Sequence, residues 1–227
     1  MKQPAPAYDI TDTTTLEQLF DSVNEISLLK ELDHIDANYR AWIAASPFCA
    51  LATAGPGGLD CSPRGDERGF VRVLDRKTLV IPDRRGNNRI DSLRNIIADP
   101  RVALLFLIPG LGETLRVNGR CLLNTDPELC AELAVAGKPP RLLLVVSVES
   151  VFFQCSRALV RSRLWDPAAQ VTPGSLPTPG KILEDISRSR VEGPKGIGSP
   201  KGIDGPKGID GAAYDRELPD RVRKTLY

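Results

Sequence analysis

The stretch that most limits what this chain can become is Asp83–Arg120, DRRGNNRIDSLRNIIADPRVALLFLIPGLGETLRVNGR. A loop rich in Arg and Asn leads into a short helical pattern, then an apolar strand, a Gly-rich turn and a second strand that alternates. In TLRVNGRCLL, Leu115, Val117 and Cys121 fall on one side and Thr114, Arg116, Asn118 and Arg120 on the other, the two-residue period of a half-buried strand. RVALLFLI is apolar on both faces and is expected at the centre of a sheet. The spacing before it predicts a helix that buries Ile90, Leu93, Ile96 and Ile97, capped by Asn88 with Asp91 three residues on. Arg84, Arg85, Asn87, Asn88 and Arg89 crowd the loop that precedes this helix. A helix N-terminus presents free N–H groups and the positive end of its dipole, and Arg donates two parallel hydrogen bonds, so phosphate is the natural guest. Solvated arginines in a surface loop would give the same pattern.

The flanking sequence sets this stretch in a β-rich chain. The first ten residues read as an arm. Thr11–Leu32 reads as a helix with Leu16, Leu19, Phe20, Val23 and Ile26 at helical spacing, and a second helix over Asp33–Ala45 is expected to bury Ile35, Tyr39, Trp42 and Ile43. From Phe48 the period becomes that of strands: FCALATA and LDCSP form a hairpin about GPGG, followed by GFVRVLD and KTLVIPD. A short helix over Pro127–Ala136, capped by Asp126 or Thr125, precedes the last long strand, LLLVVSVESVFFQ. Six or seven strands in successive hairpins imply a mainly β fold with peripheral helices, an antiparallel barrel. The organisation expected is 1–47 arm and helices, 48–167 barrel, and 168–227 a Pro/Gly-rich extension. That extension writes one hexapeptide three times between Gly193 and Asp210, flanked by short helices at KILEDISRS and YDRELPDRVRKTLY.

Composition narrows the function. A net charge of +1 gives no broad field for nucleic acid or anionic lipid, so any anion site is local. No run approaches the roughly 18 apolar residues of a membrane span, and MKQPAPAYDITDTTT lacks the apolar core of a signal peptide, which points to a cytoplasmic protein without membrane or nucleic-acid partners. The five cysteines are scattered without a CxxC pair and read as core thiols in a reducing compartment, with no metal site. The one histidine, His34, nearly excludes zinc and a His-based triad.

SPRGDERGF, DRRGNNRIDSLRNI, DPRVALLF, GETLRVNGR and RSRLWDP resemble the pyridoxamine 5'-phosphate oxidase-related, FMN-binding split-barrel family over roughly residues 48–167. The resemblance implies a homodimer of split barrels with FMN in the cleft between them and a small-molecule substrate. Arg64 stands where the family has a lysine that reaches the FMN phosphate. The family's phosphate-binding Ser-Arg-Lys run aligns with Asp91 and Ser92. Because this spacing departs, Arg84, Asn88 and Arg89 are preferred as phosphate ligands, with Ser92 second. Thr114 matches a glutamine on the flavin's pyrimidine edge, and Arg161, Arg163 and Trp165 resemble a Trp/Arg element that covers the flavin from the second subunit. Arg116 either stabilises charge on the reduced ring or binds substrate, or else pairs with Asp66 or Glu67. No catalytic residue is assigned, because a flavin carries its own redox chemistry. The reading is an FMN-dependent oxidoreductase passing hydride to or from flavin N5. The alternative is a non-catalytic carrier of flavin, haem or a B6 vitamer. Pyridoxamine 5'-phosphate oxidation itself is not expected, since its substrate-binding residues find no convincing match.

Overall fold

The structure, a computed structural model, describes residues 3, 5–192 and 208–227. Most of the hexapeptide repeat, 193–207, lies outside the described residues. In chain order the elements are α1 (Thr13–Glu17), α2 (Glu25–Leu29), α3 (Ala37–Ala45), β1 (Phe48–Gly55), β2 (Gly58–Gly65), β3 (Arg72–Val73), β4 (Thr78–Pro82), α4 (Asp91–Ala98), β5 (Arg101–Leu107), β6 (Thr114–Asn124), α5 (Pro127–Glu132), β7 (Leu143–Gln154), α6 (Arg157–Ser162), α7 (Pro179–Glu192) and α8 (Gly211–Lys224).

The strands form one antiparallel sheet in the order β2-β1-β5-β6-β7-β4-β3. The hairpins β1–β2 and β3–β4 sit at opposite edges of the β5–β6–β7 meander, with β1 on β5 and β4 on β7. The sheet curls around one core: Cys49 and Leu51 of β1, Leu104 and Phe106 of β5, Val117 of β6, Val146 and Val151 of β7, and Leu79 and Ile81 of β4 belong to a single buried cluster. Tyr39 and Ile43 of α3 and Ile96 of α4 join it. The edge strands β2 and β3 do not pair with each other, so the curl stays open on that side. RVALLFLI takes the central place its apolar run required, with Val102, Leu104 and Phe106 buried and Ala103, Leu105 and Leu107 half-buried on the outer face. Along β6 the expected alternation holds through a bulge at Asn118/Gly119. Gly119 has to be glycine, because a Cβ there would lie 2.1 Å from the Ser147 carbonyl oxygen.

Four expectations need correction. Thr11–Leu32 is not one helix but the short α1 and α2, and Leu16, Leu19, Phe20, Val23 and Ile26 are all exposed. A helical apolar stripe is buried only where a partner surface meets it, and the described residues supply none. In α4 the buried residues are Ser92 and Ile96, whereas Ile90 and Ile97 are 45% and 77% exposed. The predicted Asn88 cap is absent: Ile90 occupies the cap position with φ 54°, Asn88 has φ 58°, and the loop enters the helix through these two left-handed residues. Among the cysteines, Cys49, Cys121 and Cys130 are buried, but Cys61 and Cys155 are exposed. Cys61 lies on the outer side of the edge strand β2 and Cys155 just past β7. The helices flanking the repeat form as α7 and α8, which pack on each other with the Gly180 N–H donating to Asp215 Oδ1 at 2.8 Å.

Candidate functional site

Alternation along β2 turns Asp60, Ser62 and Arg64 to the inner side, opposite Thr53, Leu51 and Cys49 of β1. Helix α4 lies close over β1, where Asn95 Nδ2 donates to Thr53 Oγ1 at 3.1 Å. The approach depends on Gly55, whose Cβ would stand 2.2 Å from Asn95 Oδ1. Docked this way, α4 brings the buried Ser92 onto β2: its Oγ donates to Asp60 Oδ2 at 2.7 Å and lies 2.9 Å from Ser62 Oγ. Arg64 Nη1 donates to Ser62 Oγ and to the Pro63 carbonyl oxygen, both at 2.9 Å. Its Nε is buried with no hydrogen-bond partner among the described residues. A buried guanidinium N–H without an acceptor costs free energy that an anion in front of it would recover.

These residues floor a cavity of about 680 Å³, walled by the loop 84–90, by Lys138–Leu142 and by Tyr227. Six cations line it (Arg64, Arg84, Arg85, Arg89, Lys138 and Arg141) against three carboxylates (Asp60, Asp83 and Asp91), so its local field is positive although the chain is nearly neutral. Arg84 is part of the wall. Its Nε donates to Asp66 Oδ2 at 2.6 Å and its Nη1 to the Leu133 carbonyl oxygen at 2.9 Å. Burial pushes the Asp66 carboxyl up, but hydrogen bonds from the Tyr227 hydroxyl, the Glu67 N–H and Arg84 outweigh it and hold the group below the usual carboxylate range. Asp83 goes the other way: burial raises it, against the pull of Arg64 and Arg141. Asn88 and Arg89 stand at the rim, Arg89 being 76% exposed and bonded through Nε to Asp91 Oδ2 at 2.7 Å.

Arg64, Arg84, Asn88, Arg89 and Ser92 are therefore brought to one cavity, and the other residues expected at the site are not. The register Gly65–Phe48–Leu107–Thr114 sets the buried Thr114 three strands from the end of β2, roughly 14 Å across the sheet. Trp165 Nε1 donates to the Leu111 carbonyl oxygen at 2.7 Å, Arg163 pairs with Asp166, and Arg161 is exposed on α6. Arg116 does not pair with Asp66 or Glu67, because Asp66 is held by Arg84 and Arg116 projects from the outer face of β6. There it stacks 5.5 Å above the Phe152 ring, and the Gln154 amide, oriented oxygen first, accepts from it at 2.7 and 3.0 Å.

Sequence reading missed Asp60, Ser62, Asp83, Lys138, Arg141 and Tyr227. Ser62 was legible, since a strand residue two before Arg64 shares its face. Lys138, Arg141 and Tyr227 reach the cavity through tertiary folding that no local pattern announces. Among the described residues no three His, Cys, Asp or Glu side chains gather as a metal site, and no helix is long and apolar enough to cross a membrane.

Comparison with solved structures finds HupZ of Group A Streptococcus (19% identity, TM-score 0.42, covering 54% of this chain and 95% of that one). It also finds an FMN-binding protein from Syntrophomonas wolfei (11%, TM-score 0.40, 50% and 82%) and General Stress Protein 26 from Bacillus anthracis (13%, TM-score 0.39, 50% and 88%). No curated protein matches the chain. The family model described as pyridoxamine 5'-phosphate oxidase matches residues 35–155, from the buried Ile35 ahead of α3 to the end of β7, and on that match, covering just over half of the sequence, the chain belongs to the pyridoxamine 5'-phosphate oxidase family.

Proposed function

We propose that this protein is an FMN-dependent oxidoreductase of the pyridoxamine 5'-phosphate oxidase-related type, acting on a small molecule in the cytoplasm. The observation that carries the reading is the buried, unpartnered Nε of Arg64 beside the Ser62–Ser92 pair at the floor of a cationic cavity. A phosphate seated there would accept from Arg64, and from Ser62 and Ser92 once their hydroxyl protons turn away from Ser92 and Asp60 toward it, with Asn88 and Arg89 closing over it from the rim. Arg84 acts behind them, as the guanidinium that positions the wall. Bound FMN would supply hydride transfer at N5, and the chain would bind and orient the ring.

A homodimer completes this arrangement. Thr114 lies across the sheet from the cavity, and Trp165 bonds to Leu111 in the β5–β6 turn, so in the proposed dimer Trp165, with Arg161 and Arg163 of the same segment, covers a flavin whose phosphate is held by the other copy. Arg116 and Phe152 offer that ring a cationic and aromatic outer face. The exposed Leu16, Leu19, Phe20, Val23 and Ile26 supply apolar surface for such an interface. Free thiols throughout fit a reducing compartment.

Gentle purification followed by absorbance spectroscopy tests the cofactor. A flavin spectrum that bleaches with NAD(P)H or a candidate donor and returns in air supports the oxidoreductase. A flavin that is bound but never reduced leaves a carrier, and a colourless protein that does not quench added FMN overturns both.

A further inference from the structure

The loop 84–90 carries two left-handed non-glycine residues, Asn88 and Ile90, a backbone that persists only where its surroundings impose it. Among the described residues Arg89 bonds only to its own neighbours, through its N–H to Asn87 and its Nε to Asp91. Among the described residues, the side-chain hydrogen bonds that tie this loop to other elements are those of Arg84, to Asp66 and to the Leu133 carbonyl oxygen. Asp66 is in turn held from 161 positions away in sequence, where the Tyr227 hydroxyl donates to its Oδ1 at 2.7 Å. The Arg84 guanidinium lies 5.9 Å from the centre of the Tyr227 ring, and Lys138 Nζ donates to the main-chain oxygen of Tyr227 at 3.0 Å. These bonds are also the only hydrogen bonds, among the described residues, by which α7, α8 and the residues after them reach the barrel.

We infer that Tyr227 is a positioning residue for the anion-binding loop: seated on Asp66, it fixes Arg84 and thereby holds residues 84–90 in the conformation that walls the cavity. The C-terminal helix pair thus acts on the cavity through one residue. A phenol suits the place because its hydroxyl donates to a buried carboxylate while its ring covers the guanidinium that the same carboxylate binds. The structural part of this inference stands on the contacts alone; its consequence for ligand rests on the flavin reading.

The test uses the full chain and Tyr227→Phe, which keeps the ring and removes the hydroxyl, with Tyr227→Ala as the second variant. Limited trypsin digestion of the ligand-free proteins, scored by mass spectrometry, reports cuts after Arg84, Arg85 and Arg89. Cleavage there is expected to be about tenfold faster in Tyr227→Phe, the scale set by one hydrogen bond to a charged group, and faster still in Tyr227→Ala. Cuts after Arg94 in α4 and Arg101 in β5 should stay slow in all three proteins. In parallel, both variants should bind FMN about tenfold more weakly. Wild-type cleavage of the loop in both variants overturns the inference. A loosened loop with wild-type FMN affinity also overturns it, because Tyr227 would then be structural only. If the wild-type chain takes no FMN, the flavin reading falls and the digestion still decides whether Tyr227 holds the loop.

Discussion

Replacing Asp66 with Ala removes the carboxylate on which Arg84, the Glu67 N–H and Tyr227 converge. The Asp66 side chain is 2% exposed and that of Arg84 16%, so the substitution strands a guanidinium that water reaches poorly. Breaking one side of a buried ion pair costs about 3–5 kcal/mol. The bond from Arg84 Nη1 to the Leu133 carbonyl oxygen survives, and some solvent does reach the side chain, so the lower end, about 3 kcal/mol, is the expected cost. In a chain of this length each kcal/mol moves the midpoint by about 2–4 °C, so thermal unfolding followed by circular dichroism should show a loss of about 6–12 °C. The pH dependence fixes the sign independently. Asp66 has a folded pKa below its unfolded value, so its contribution is complete above the unfolded pKa and disappears as pH falls through the folded one. The gap between wild type and Asp66→Ala should therefore be widest near neutral pH and shrink below about pH 4. A variant that melts within about 2 °C of wild type at pH 7, or a gap that widens in acid, would refute the reasoning.

Three other substitutions probe separate parts of the account. Gly119→Ala forces β6 and β7 apart at the bulge and should cost about 1–3 kcal/mol in denaturant unfolding; an unchanged midpoint contradicts the close approach. Ile90→Asn puts a residue that tolerates the left-handed region where a half-exposed β-branched one now sits, and should stabilise by about 1 kcal/mol, read as a higher melting temperature; a lower one means Ile90 is not strained. Arg64→Ala should weaken FMN and inorganic pyrophosphate alike by about 1.5–3 kcal/mol in calorimetric titration, and Arg89→Ala by less because Arg89 is exposed and already paired with Asp91; the reverse ranking would move the phosphate from the floor of the cavity to its rim.

Much of the barrel was legible because its signals are local. Alternation along TLRVNGRCLL, the GPGG turn and the apolar run of β5 each report a backbone state that neighbouring residues decide, and all three appear as read. The loop ahead of α4 was recognisable as a concentration of Arg and Asn, but its internal roles were not. Arg84 looks identical to Arg85 in sequence, and only the fold gives it Asp66 and Leu133 and so makes it a wall. The α4 face was misread because helical spacing cannot tell a stripe that meets the sheet from one turned a residue away, which left Ile97 in solvent and Ser92 inside. The same ambiguity joined α1 and α2 into one helix, whose apolar residues have no partner among the described residues. Tyr227 had no signal at all, since its meaning comes from a carboxylate near the other end of the barrel sequence.

The central claim is that the Arg64, Ser62 and Ser92 floor receives the phosphate of a flavin. Calorimetric titration of the full chain with FMN, compared with riboflavin, which lacks only the phosphate, tests it most directly. The account predicts one FMN bound per chain and a large loss of affinity for riboflavin. Equal affinity for the two, or no heat from either, would contradict it.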